Sequence, residues 1–195
     1  DTFIMPDFVN AMIDKGMLGS KTKGGFYKKI DGQICVLDYK TMEYKPKEAV
    51  RADSIGAARG ISDVGKKIKA LVNGDDRFAK LAWESTARTL IYAANRLGEI
   101  ADDVFNCDRA MRWGFGWELG PFETWDAIGV PQSVERMKAE GMPVPEIVTQ
   151  MLAKGITSFY GGTACKPLFF DVQNKEEAAM EVDPRYVTIA KLTES

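Results

Sequence analysis

The sequence contains no histidine. A histidine general base, a Ser-His-Asp triad and a histidine-ligated metal are therefore excluded within this chain. Cysteine is scarce: Cys35, Cys107 and Cys165 are odd in number and far apart, with no C-x-x-C pair. That pattern argues against a disulfide framework or a zinc site, so no metal is expected and a reducing, cytoplasmic location is. An excess of either charge is missing too. A net charge of −2 over 195 residues supplies no basic field for nucleic acid or an anionic membrane surface. No apolar run approaches the ~18–20 residues that span a bilayer, and Asp1 heads no signal-peptide pattern. The glycines never spell G-x-G-x-x-G, so the chain carries no dinucleotide fingerprint. Hydrophobic content of 45% and charged content of 28% are those of an ordinary globular protein of one or two domains.

What the chain does contain is a repeat. Pro6–Gly16 reads PDFVNAMIDKG and Pro145–Gly155 reads PEIVTQMLAKG, with Pro, Val, Met, Lys and Gly coinciding. Phe26-Tyr27 returns as Phe159-Tyr160, and Cys35-Val36-Leu37-Asp38 aligns with Leu168-Phe169-Phe170-Asp171. The two alignments differ by six residues, which places the length change in the Gly19–Gly24 loop. Internal repetition constrains architecture before any other signal. If the copies are equivalent tails, residues 1–50 are the tail of a first unit, 51–75 a linker or short helix, and 76–195 a second unit complete with its own tail.

Local signals fill in this frame. Asp7–Lys15 reads as a helix, with Pro6 at its start, Asp7 at the positive dipole end and Gly16 as the stop. Gly19–Gly25 reads as a solvated basic connector, or alternatively as a loop whose N–H groups and two lysines contact phosphate. Phe26–Ile30 and Gln33–Leu37 form a hairpin through Asp31-Gly32; Thr41–Glu48 is a polar connection broken by Pro46. Ser62 is placed to cap a helix through Val64, Ile68 and Val72. Arg77–Leu97 is the longest helical pattern, with one stripe through Phe78, Leu81, Ala82, Ser85, Thr89 and Tyr92. A second stripe runs through Trp83, Ala87, Leu90, Ala94 and Leu97, so burial on two sides is expected. Trp83, Leu90 and Trp113 are the candidate interface residues. Asn106 reads as the cap of a helix over Cys107–Trp113. After the Gly/aromatic turn, Pro121 stands at the first position of a helix that ends at Gly129. Pro131–Glu140 and Pro145–Lys154 read as helices, and Pro167–Val172 with Met180–Val182 as a second hairpin.

Glu118, Glu123 and Asp126 invite an acid/base reading. Glu123 is better explained by the helix dipole and Asp126 by a local cap or bridge. Trp113, Phe115, Trp117, Phe122 and Trp125 form a dense aromatic group that reads as core or domain-interface packing, with an acyl or adenine contact as the alternative.

The block Asp108-Arg109-Ala110-Met111-Arg112-Trp113-Gly114-Phe115-Gly116 followed by Gly120-Pro121-Phe122-Glu123-Thr124-Trp125-Asp126-Ala127-Ile128-Gly129 resembles the C-terminal domain of 3-hydroxyacyl-CoA dehydrogenases. Met12–Gly19 with Gly25-Phe26-Tyr27 resembles the same family's tail. The resemblance covers most of residues 6–27 and 76–160. It implies a mainly α fold: a helical bundle of the dehydrogenase C-terminal type with short β-hairpin excursions. It implies a parent that oxidises (3S)-3-hydroxyacyl-CoA with NAD in fatty-acid β-oxidation, possible fusion to an enoyl-CoA hydratase, and possible homodimerisation. In that family NAD and the catalytic His-Glu pair belong to an N-terminal Rossmann domain, which has no counterpart here. No catalytic or cofactor-binding residue is therefore expected in this chain. The family's asparagine near the start of the first helix is also missing from Arg77–Leu81, which marks the second unit as structural. Gly114, Gly116, Gly120, Pro121, Phe122 and Glu123 are the residues expected to form its structural or substrate-side motif. The alternative from another class is a non-enzymatic helical interaction module.

Overall fold

The computed structural model describes residues 4–181, and the chain divides into two compact units, Asp1–Val50 and Arg51–Ser195.

In the first unit α1 (Asp7–Asp14) starts after Pro6, whose extended backbone leads into the first turn, where Asp7 meets the positive end of the helix. Gly16 ends it at φ 69°, and Met17 N–H reaches back to Met12 C=O at 2.8 Å, a Schellman closure. Three antiparallel strands follow in the order β1 (Tyr27–Ile30), β2 (Gln33–Asp38), β3 (Glu43–Pro46). Asp31 and Gly32 both have positive φ, 48° and 84°, as a two-residue type I′ hairpin demands. The connection expected over Thr41–Glu48 is thus in part a third strand. Asp38 accepts from Lys40 N, Thr41 N and the Lys45 ammonium, which folds the polar stretch back. Pro46 is tolerated because it terminates an edge strand.

The Gly19–Gly25 loop is closed on itself. Gly19 and Gly24 exchange backbone hydrogen bonds, and the Leu18, Thr22 and Lys23 N–H groups are also satisfied within the loop. These bonds hold the loop in a closed turn between α1 and β1.

The second unit is helical around one core. Its elements are α2 (Asp53–Arg59), α3 (Val64–Val72), α4 (Arg77–Asn95), α5 (Val104–Phe115), α6 (Pro121–Ile128), α7 (Val130–Ala139) and α8 (Glu146–Ala153). A second antiparallel meander follows: β4 (Tyr160–Gly162), β5 (Pro167–Asp171) and β6 (Glu176–Ala179). Trp83, Trp125, Phe122, Phe159, Phe170 and Leu90 are the largest side chains of the core.

Several local expectations are corrected here. Segment 51–75, read as a linker or short helix, is helical: it forms α2 and α3 and falls within the second unit, where Val72 is buried in the core. Ser54 also donates its N–H and hydroxyl to Asp76. Asp63, not Ser62, caps α3, and Asp103, not Asn106, caps α5. In each case the aspartate directly before the first helical residue accepts from the N–H three positions on, Asp63 from Lys66 and Asp103 from Asn106. The last strand is Glu176–Ala179, earlier than the Met180–Val182 run; Met180 follows it and Val182 lies outside the described residues.

The repeat is structural to the level of single bonds. Pro145, Met151 and Gly155 take the places of Pro6, Met12 and Gly16, and Ile156 N–H closes on Met151 C=O as Met17 does on Met12. Tyr160 pairs with Phe169 as Tyr27 pairs with Val36. Phe170 N–H donates to Phe159 C=O as Leu37 does to Phe26, and Lys175 N–H to Asp171 as Met42 does to Asp38. Lys175 and Met42 share the left-handed turn conformation, at φ 57° and 59°.

Candidate functional site

The Gly-Pro-Phe-Glu block sits where α6 begins. Its first turn should be an anion site, because the leading N–H groups of a helix have no partners of their own and carry the positive end of the dipole. Asp108 of α5 fills it. One carboxylate oxygen accepts from Phe122 N at 2.8 Å and the other from Glu123 N at 3.0 Å. Glu123 turns back to accept from Gly120 N at 2.8 Å and pairs with Arg112 at 2.9 Å. Gly120 must be glycine, because a Cβ there would run into the Cα and side chain of Asp108. Gly116 ends α5 at φ 69°, whereas Gly114 faces open space.

A second carboxylate holds the far end of α6. Asp126 accepts from Phe159 N at 2.8 Å and Tyr160 N at 2.9 Å, so it bridges over 33 and 34 positions in sequence and not locally as expected. The Tyr160 hydroxyl closes the arrangement by donating to Asp108 at 2.7 Å. Burial raises both carboxyls to about 6, against the lowering effect of the hydrogen bonds they accept. Burial likewise pushes the Tyr160 phenol upward. Every oxygen in this cluster is engaged with protein, which makes it a clip between α5, α6 and β4. Sequence reading missed Asp108 and Tyr160; the Asp at the head of the motif and the repeated Phe-Tyr were the available signals.

The aromatic group splits. Phe122 and Trp125 are buried around Phe159, with ring centroids 4.8 and 5.5 Å away. Trp113, at 74% exposure, Phe115 and Trp117 lie at the surface, and Trp113 shares the Arg109 guanidinium with Phe105. Of the candidate interface residues only Trp113 is exposed. Trp83 and Leu90 are core: the Trp83 indole donates to Glu140 at 2.6 Å beneath the Arg136 guanidinium. Beside them an apolar groove of about 490 Å³ runs between α3, α4 and the start of α6, walled by Ile68, Leu71, Ala82, Leu119 and Pro121 with Lys67 at its edge.

Among the described residues no three Cys, Asp or Glu side chains gather as metal ligands would. The starts of α3, α4, α5 and α6 are each filled by an aspartate of the chain itself. Those termini do not fit a pyrophosphate. No helix among the described residues is long and apolar enough to cross a membrane.

A probable 3-hydroxyacyl-CoA dehydrogenase of Bacillus subtilis is 46% identical over 160 residues, which is 82% of this chain. This chain is homologous to 3-hydroxyacyl-CoA dehydrogenases. It spans about one fifth of that relative's length, 20%. Proteins of Rickettsia felis and Rickettsia prowazekii, provisionally named as fatty acid oxidation complex trifunctional enzymes, are each 25% identical, over 123 and 120 residues. They are matched over 16% and 15% of their lengths. No family model matches the chain, and no solved structure does either.

Proposed function

We propose that this chain is the C-terminal, substrate-side region of an NAD-dependent (3S)-3-hydroxyacyl-CoA dehydrogenase of fatty-acid β-oxidation. The observation that carries the proposal is the 46% identity spanning most of the chain to one fifth of a much longer dehydrogenase relative. In this reading the first unit is the tail of one C-terminal domain and the second unit is a full copy. NAD and the catalytic base belong to a Rossmann domain outside these residues, and the acyl-CoA lies between that domain and the first copy. The filled helix termini of the second unit and its all-protein Asp108–Tyr160–Asp126 clip support a scaffolding role for that copy. A fused hydratase and a homodimer are compatible with it.

The test is direct. The 195-residue chain alone should neither quench NADH fluorescence nor oxidise NADH with acetoacetyl-CoA. The same chain joined behind a dehydrogenase NAD-binding domain together with the body of a first C-terminal domain should do both. Turnover by the chain alone would refute the assignment of chemistry elsewhere.

A further inference from the structure

The two copies of the repeat share backbone geometry but not cover. Phe159 is 0% exposed under Phe122 and Trp125, whereas its equivalent Phe26 is 51% exposed. Tyr160 is partly buried with its hydroxyl on Asp108, whereas Tyr27 is 60% exposed. Val148 is fully buried and its equivalent Val9 is not; Leu152 is partly buried and Ile13 is exposed.

The donors differ in the same way. In the second copy the adjacent N–H groups of Phe159 and Tyr160 are both held by one carboxylate. In the first copy Leu37 N–H donates to Phe26 C=O, which makes Tyr27 and Val36 a non-hydrogen-bonded pair. The Tyr27 N–H therefore points away from β2, off the open edge of the sheet, as that of Tyr160 does. Phe26 N–H has no partner among the described residues.

We infer that the first unit presents a preformed docking surface for an acidic amphipathic helix of the α6 type. Its aromatic pair at i and i+3 would cover Phe26, and its aspartate at i+4 would seat on the Phe26 and Tyr27 N–H groups. Charge selects this occupant. α6 carries Glu123 and Asp126 and no basic residue, while β1 carries exposed Lys28 and Lys29 beside the two donors. A carboxylate on two adjacent amides also forms charge-assisted bonds, which are stronger than neutral ones. A neighbouring carboxylate in the place of Asp108 would take the Tyr27 hydroxyl. The inference rests on the internal repeat and not on the dehydrogenase assignment, so an absence of dehydrogenase activity leaves it standing.

The experiment joins a second copy of residues 103–129 to the N-terminus of the full chain through a flexible Gly/Ser linker, which sets a local concentration of roughly millimolar. Amide exchange at Phe26 and Tyr27 should slow by about tenfold or more. Asp126→Ala in the added copy should abolish that protection. Unchanged exchange, or protection that survives the aspartate change, would overturn the proposal. So would a dimer of the unfused chain in which Phe26 and Tyr27 are already protected, because the occupant would then be a second copy. A second measurement needs no fusion: Phe26 meets only the edge of Phe8 among the described aromatic rings, so Phe26→Ser should lower the thermal unfolding temperature of the chain far less than Phe159→Ser does. Equal losses at the two positions would mean that Phe26 is already covered, and would equally overturn the inference.

Discussion

A Cβ on Gly120 would have to share space with Asp108, whose carboxylate is already committed to the first turn of α6. Gly114, the penultimate residue of α5, meets nothing within 4 Å. Both glycines belong to the same motif, yet they answer to different physics. Gly120→Ala forces α5 and α6 apart and should cost about 1–3 kcal/mol, the range for overpacking a close contact. Gly114→Ala should be neutral or stabilising by up to about 1 kcal/mol, since alanine restricts the unfolded chain and favours helix. Urea unfolding of the two variants beside the parent checks this, and equal effects would contradict the steric reading. The block's local features were legible in the sequence: Pro121 at the first helical position and Glu123 in the first turn need only short-range rules. The anchoring by Asp108 and Asp126 was not. Their partners lie 14 to 34 positions away, and no propensity or spacing rule pairs a carboxylate with a distant backbone amide.

At the scale of elements, α4 shows how periodicity can establish a helix while leaving its orientation open. Apolar and small residues occupy both of its faces, so the pattern alone suggests burial on two sides. The structure buries Ala79, Trp83, Ala87, Leu90 and Ala94 and leaves Leu81, 64% exposed, outside. What decides is the opposing material: Arg136 stacks on Trp83 while Glu140 accepts its indole N–H. Arg136 also bonds the C-terminal carbonyl of α3, Val72 C=O, at 2.7 Å. Trp83→Ala should therefore destabilise by roughly 3–5 kcal/mol, as large core truncations do. Leu81→Ala should stay within about 0.5 kcal/mol. Chemical denaturation distinguishes them, and a large loss at Leu81 would restore a second buried face. The edge strands β3 and β6 were illegible for the opposite reason. They are short, polar and charged, and their pairing is set by turns that Met42 and Lys175 enter with positive φ, a conformation that composition does not announce.

Across the whole second unit, the meander, α5 and α6 are joined through Asp108, Tyr160 and Asp126, and this gives stability a particular dependence on pH. Both carboxyls titrate near 6 in the fold, raised by burial from 3.8. A raised carboxyl favours the folded state most when it is protonated. Its contribution is fully present below pH 4 and is lost as pH climbs through 6, with an upper bound of about 3 kcal/mol per group. The Asp108 carboxylate also raises the affinity of Asp126 for a proton, so the pair should lose its protons in two overlapping steps and the combined loss should be spread over that interval. The unfolding free energy of the parent should consequently decline between pH 4 and pH 7. Asp126→Asn should flatten the decline by about half, and its combination with Asp108→Asn by more, whatever either change does to absolute stability. Urea titrations at half-unit pH intervals read the slope directly. A variant profile parallel to the parent's would mean that the four hydrogen bonds from Phe122, Glu123, Phe159 and Tyr160 amides outweigh burial. The carboxylates would then be ionised throughout that range, and the clip would be an electrostatic anchor at the end of α5 and α6 insensitive to mild acid.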